Sequence, residues 1–283
     1  MVDIADNDSL PALERVLNRM CCPRCSGDLR TDGGELHCDA CGSRFPARHG
    51  VPLLAIHGTA ETWSEPSADE TSQAYQEAYE ELDEARRYNE EYRQYATKRW
   101  STRKEYRLLD ELLGSQPRSE VLLDLPCGGG RLSAQLAQHT DFLVEADIGL
   151  GQLLYARDDY PGRDDRVWMT ASGFHIPFRD ASVDGIVCCR LCHHLPTADE
   201  RERLLAELLR VARGFVVMTF FDFYSIKNYG RRARKPFNKK PPKMTMTVER
   251  VSELARQNGA ELVAWPALSH IFSGHRYALM VKR

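Results

Sequence analysis

Between residues 121 and 221, short apolar runs recur at intervals too long for hairpins: VLLDL (121–125), FLVEAD (142–147), RVWMT (166–170), DGIVCCR (184–190) and GFVVMTFF (214–221). They are rich in Val, Ile and Phe, and helical stretches at about 131–139, 150–158 and 199–212 separate them. Strands joined through helices of that length run parallel, with right-handed crossovers and helices covering both faces. The tail departs from this rhythm. A helix near 247–258 is followed by ELVAWPAL and HRYALMVKR, close enough to pair as an antiparallel edge. The expected fold is α/β, a Rossmann-like sheet with an antiparallel C-terminal edge.

The N-terminal part obeys a different constraint. Cys22, Cys25, Cys38 and Cys41 form C-x2-C-x12-C-x2-C, two knuckles that a hairpin can bring together. Four thiolates in a tetrahedron suit a closed structural Zn2+ site. A reduced hairpin without metal is the alternative, but some 30 residues with so few apolar groups need a staple. Gly42 fits the tight turn after the second knuckle, and Cys21 is the spare cysteine. A site closed by four protein ligands has no open position for catalysis.

The segment CPRCSGDL…LHCDACGSRFPARHGVPLLA, with its Arg-Phe-Pro and Gly-Val-Pro-Leu-Leu, resembles the zinc-ribbon family of small activator proteins. Members of that family partner methyltransferases acting on tRNA, rRNA and translation factors. The expected division is a ribbon over 18–57, a linker over 58–70 and a larger domain over 71–283. The stretch 71–113 lacks Pro and Gly, and its charge is polarised: 61–91 hold eleven acids and two bases, 92–107 six bases and one acid. That polarity suits the helix dipole and predicts one or two helices. Tyr75, Tyr79, Tyr88, Tyr92 and Tyr95 recur at helical spacing, as a half-buried stripe or as one residue closing over a ligand.

DLPCGGGRLS, from Asp124 to Ser133, joins a strand to a helix, where backbone N–H groups and the helix dipole meet a ligand. Gly128 and Gly130 allow close approach, and Asp147, seventeen residues beyond Gly130, can accept hydrogen bonds from ribose hydroxyls. The bare pattern fits a dinucleotide or another adenosine-bearing cofactor. Against a dinucleotide, Ser133 stands where the fingerprint wants its last glycine, and Asp124 would face a pyrophosphate badly. A cationic sulfonium with an amino group suits Asp124 better.

With HIPFRDASVDGIVCC added, the chain resembles class I S-adenosylmethionine-dependent methyltransferases, of the group that includes the ubiquinone and menaquinone enzymes. The resemblance rests on DLPCGGGRL, EADIG, ASGFHIPF, SVDGIVCCRLCHHL and ELLRVARGFVVMTFF. It implies S-adenosyl-L-methionine as cofactor. Asp124, Gly128 and Gly130 would line its methionine and ribose parts, and Asp147 would hold the ribose with Ile148 beside the adenine. Ser172, Gly173 and Phe174 would meet the adenine edge, and Arg190 would flank the methionine. Pro126 replaces the first glycine and removes a donor there. Ser172 stands where many relatives have Asp.

His193 and His194 are the candidate bases if the acceptor must lose a proton. The alternative has one imidazole packed under the cofactor and the other capping the next helix. Cys189-x-x-Cys192-His193 spells a haem-attachment pattern, but its first cysteine belongs to a buried strand, and Cys188 and Cys189 read better as small core residues.

Residues 226–243, IKNYGRRARKPFNKKPPK, carry eight Lys or Arg and no acid, with Tyr224, Tyr229 and Phe237 interleaved. The run reads as a solvated loop or as a contact for an anionic acceptor. RNA is one such acceptor; a phosphorylated lipid or small metabolite is another. Zinc ribbon and methyltransferase domain in one chain resemble the bacterial zinc-ribbon rRNA guanine methyltransferases. The Pro126 replacement and the basic insertion depart from that group's pattern. A non-enzymatic nucleic-acid-binding module is a third possibility. The net charge of -3 excludes a histone-like coat, no window holds 18 uninterrupted apolar residues, and the start MVDIADNDSL is acidic. The expected location is the cytoplasm, with no membrane span.

Overall fold

The computed structural model describes residues 11–56, 82–83, 85–87, 89–90, 96–159, 164–233, 244–271 and 273–283. The linker and the tyrosines at 75, 79, 88, 92 and 95 lie outside the described residues.

Seven strands form the central sheet: β6 (Ser119–Asp124), β7 (Thr140–Asp147), β8 (Arg166–Thr170), β9 (Val183–Cys188), β10 (Ala212–Phe221), β11 (Ala260–Ala264) and β12 (His275–Lys282). Their order is β11-β12-β10-β9-β6-β7-β8. β6 to β10 run parallel, and β12 inserts antiparallel to both β10 and β11. From β6 the chain winds outward through β7 and β8, then returns to lay β9 and β10 on the other side. The direction reverses between β6 and β9, which opens a crevice at their C-terminal ends.

Side-chain alternation divides the core. Val121, Leu123, Val144, Ile186, Val216 and Met218 face one layer, where Leu204, Leu205 and Leu208 of the helix Ala198–Val211 pack with Val251 of Val248–Gln257. Leu122, Leu143, Val187 and Val217 face the other, against Leu109 and Leu113 of the helix Ala96–Gly114. Burial on both sides explains why these strands read as unbroken apolar runs.

The cysteine-bearing segment is built into the first layer. A helix (Pro11–Leu17) precedes β1 (Leu29–Asp32), β2 (Glu35–Cys38) and β3 (Arg44–Phe45), which form a small antiparallel sheet, and β4 (Ala47–Arg48) pairs with β5 (Val51–Pro52). Leu13, Val16, Met20, Phe45 and Leu54 share a cluster with Phe142, Met169 and Phe178 of the large sheet side. Hydrogen bonds reinforce the seam: Cys21 N–H donates to Pro177 O (3.2 Å), Arg179 N–H to Arg19 O (2.9 Å), and Ala55 N–H to Thr170 Oγ1 (3.0 Å).

The basic run differs from the loop its sequence suggests. Ile226–Ala233 is a helix, started by Ser225, whose Oγ accepts from Asn228 N–H at 3.3 Å. Residues 234–243, with Arg234 and Phe237, lie outside the described residues. Among the described residues no helix is long and apolar enough to cross a membrane.

Phe178 is fully buried at the seam and bridges Met20. Phe178→Ala should cost about 3–5 kcal/mol, read as a lower urea midpoint.

Candidate functional site

The crevice is lined first by the turn after β6. Pro126 leads into Cys127, whose N–H donates to Ala146 O at 2.9 Å, and Gly128 and Gly130 take φ of +54° and +74°. Those left-handed values favour glycine. A side chain at Gly129 would displace the Asn89 amide, which lies where its Cβ would stand. Asn89 donates to Gln152 Oε1 at 3.0 Å, which holds it over the turn.

Asp124 ends β6 fully buried, and neither carboxylate oxygen has a hydrogen-bond partner. Burial, with Glu145 and Asp147 nearby and Arg131 opposing, pushes its pKa well up. A buried carboxyl with two empty acceptors is costly unless a cation or donor arrives. This is the donor-deficient end that an ammonium group would complete.

Asp147 ends β7. Its Oδ2 accepts from Gly128 N–H and its Oδ1 from Gly149 N–H, both at 2.9 Å. A carboxylate offers about four lone-pair sites, so acceptor capacity remains for a ribose hydroxyl. Burial raises its pKa against the backbone donors. Ile148, next in the chain, is an exposed apolar side chain. Ser172 is buried, and its Oγ accepts from Phe174 N–H at 3.3 Å. Gly173 is pressed by Leu204, while the Phe174 ring carries the Arg203 guanidinium at 5.2 Å.

Arg190 leaves β9 with φ +67° and donates its N–H to Thr219 Oγ1 at 2.6 Å. Its guanidinium turns to Glu105, 3.2 Å away. Glu105 lies fully buried and also meets Arg131 and the Tyr277 hydroxyl. Burial alone would raise its pKa; Arg131 and Arg190 overcome that and hold it at about 2.

His193 is buried, and its ring lies 4.3 Å from those of His194 and Phe221 and 5.1 Å from that of His275. His194 is exposed. The helix cap proposed for one imidazole belongs to Thr197 instead: its Oγ1 accepts from Glu200 N–H, and Glu200 reaches back to Thr197 N–H. His275 packs on Phe221 at 4.3 Å, and burial lowers its pKa to about 4, with Arg190, Lys227 and Arg231 adding to the shift and Glu105 opposing it. The imidazole is therefore neutral at neutral pH and a weak base. Cys188, Cys189 and Cys192 are buried core residues, with Cys192 Sγ 3.5 Å from Met246 Sδ.

Glu105, Arg131, Tyr277, His275 and Asn89 are absent from the sequence-derived set. Only Glu105 carries a sequence signal, as the one acid among six bases in 92–107.

At the other pole, the sulfurs of Cys22, Cys25, Cys38 and Cys41 lie within 4.8 Å of one another. The Cys22–Cys41 and Cys25–Cys38 separations are 3.8 and 3.4 Å. Tetrahedral zinc with 2.3 Å bonds places sulfurs about 3.8 Å apart, so the donor set fits that ion. Ser43 Oγ lies 3.1 Å from Cys41 Sγ and accepts from Arg24 Nη1 at 3.0 Å. Burial works against ionisation of Cys41, but the Ser43 hydroxyl and N–H bring its pKa down to about 6.

Comparison with known proteins agrees with the fold. Residues 123–217 match the family model of a methyltransferase domain. Methyltransferase GfsG of Streptomyces halstedii is 37% identical over 93 residues, covering 31% of this chain and 34% of that protein. The tRNA (carboxymethyluridine(34)-5-O)-methyltransferase of Arabidopsis thaliana is 29% identical over 109 residues, 38% of this chain and 25% of that one. The chain thus spans well under half the length of these relatives. Magnesium protoporphyrin IX methyltransferase from Synechocystis PCC 6803, solved with bound SAH, superposes with TM-score 0.56 at 16% identity, covering 67% of this chain and 88% of that one. Human N-acetylserotonin methyltransferase superposes at 0.50 and 14% identity, covering 78% and 61%. The fold is the mixed α/β Rossmann-like fold of these methyltransferases.

Asp124 supplies a test. With a folded pKa above the unfolded one, the protein gains a proton on folding and loses stability as pH rises between the two values. Asp124→Asn should therefore melt above wild type at about pH 8, the difference closing towards about pH 4. Calorimetric scans of the ligand-free protein across that range check it.

Proposed function

We propose that the chain is an S-adenosylmethionine-dependent methyltransferase carrying a structural zinc ribbon. The observation that carries this reading is Asp124, buried with two unfilled acceptors beside left-handed glycines. The methyltransferase-domain match over 123–217 supports it. Asp124 would take the ammonium end, Asp147 the ribose, Ile148 and Ser172–Phe174 the adenine, and Arg190 the methionine side. Cys22, Cys25, Cys38 and Cys41 would hold zinc. The division at the 58–70 linker and a cytoplasmic location belong to the same reading.

The cofactor supplies a methyl group already activated on a sulfonium, so the chain's task is to position the acceptor and exclude water. His193 is the better placed base, because it is buried among rings beside the crevice while His194 faces solvent. Arg190, Lys227 and Arg231 surround these rings and favour an anionic acceptor. RNA through its phosphates, a phosphorylated lipid and an anionic small metabolite all fit that preference.

Calorimetric titration with S-adenosylmethionine and its demethylated product should show micromolar binding, lost in Asp147→Ala. Absence of binding in a folded, zinc-loaded sample would overturn the enzyme reading. Metal analysis should find one zinc per chain. Cys38→Ser should lose it and weaken binding of the demethylated product about tenfold, because Met20 and Cys21 brace the 172–178 segment.

A further inference from the structure

Several exposed large apolar side chains lie in the segment 224–229 and at position 271. Tyr224, Ile226 and Tyr229 are 69%, 61% and 68% exposed, and Ile271 is 59% exposed. Tyr224 and Ile226 line a shallow cleft together with Ala267, Ser269 and His270, and Ile271 follows His270 directly in the chain. That cleft also reaches His275, at the crevice where the acceptor would be held.

The described charged side chains of the 223–233 segment, Lys227, Arg231 and Arg232, are all cationic, and no Asp or Glu occurs in 223–233 or 265–275. The buried Asp222 is engaged by Arg276 at 2.7 Å. On the helix, the Arg232 guanidinium lies 4.0 Å from the Phe223 ring and 5.9 Å from the Tyr229 ring. Aromatic and cationic groups alone would serve a nucleic acid. Exposed isoleucines would not, since neither stacking nor phosphate contact uses an aliphatic chain. Aliphatic tips, tyrosines and cations on one acid-free face match what an interfacial helix presents to lipid.

We propose that the face formed by Tyr224–Arg232 and Ala267–Ile271 docks on an anionic phospholipid surface and opens the crevice towards it. The two isoleucines and Tyr229 enter the acyl boundary, and Lys227, Arg231 and Arg232 meet the headgroups. This stands apart from the methyl-transfer reading, since its measurement is vesicle binding.

Co-sedimentation of the full chain with vesicles of equimolar phosphatidylglycerol and phosphatidylcholine tests it, with pure phosphatidylcholine as comparison. Binding is expected to the anionic vesicles and to weaken with added salt. The double variant Ile226→Ser/Ile271→Ser, whose charge is unchanged, should bind about tenfold less while its thermal melting stays near wild type. Arg231→Gln/Arg232→Gln should weaken binding in the same assay. Failure to bind anionic vesicles overturns the proposal, as does binding that the double serine variant leaves intact. A single-stranded RNA that displaces the vesicles and ignores the isoleucine substitutions would assign the face to nucleic acid instead.

Discussion

One buried carboxylate ties together the parts that any ligand in the crevice must touch. Glu105 projects from the helix Ala96–Gly114 and meets Arg131 after the glycine turn, Arg190 after β9 and Tyr277 on β12. Two guanidiniums and a hydroxyl compensate its burial, so the charge survives where an isolated one would not. Without it, Arg131 and Arg190 would repel each other across the mouth of the sheet. The position of Arg190, and through it the electrostatic setting of His275, follows from this one group.

The acids nearer the glycine turn are arranged oppositely. Glu145 is buried with Arg166 at 3.6 Å, and its neighbour Ser133 donates to it. Asp124 has no such partner. The sheet's apolar faces, packed by leucines on both sides, stabilise the fold enough to tolerate that unfilled carboxyl. A buried carboxyl with neither oxygen hydrogen-bonded, at the mouth of a crevice, is what a binding site looks like before its ligand arrives.

Much of this was legible in the sequence because it is local. The strands β6 to β10 declare themselves through continuous apolar runs, the knuckles through cysteine spacing, and the turn after β6 through its glycines. What could not be read depends on distance along the chain. Glu105 was visible as an anomalous acid, but its partners lie 26, 85 and 172 residues away. His275 belongs to the crevice only because β12 inserts beside β10. The helix at 226–233 was hidden by its cation density, which says nothing about Ser225 and Asn228 fixing its first turn.

The cysteine segment and the crevice share one strand edge. Residues 19–21 bond to 177–179, and Leu53 and Ala55 bond around Thr170, so both margins of the 171–176 segment are set from the N-terminal side. Any tightening at one end is therefore felt at the other, and thermodynamic linkage makes the influence mutual. A nucleoside seated against Ser172 and Phe174 would tighten the binding of an ion held by the four thiolates, by the same free energy with which that ion tightens the nucleoside. Occupancy of the crevice would then shield those sulfurs from oxidants and competing chelators.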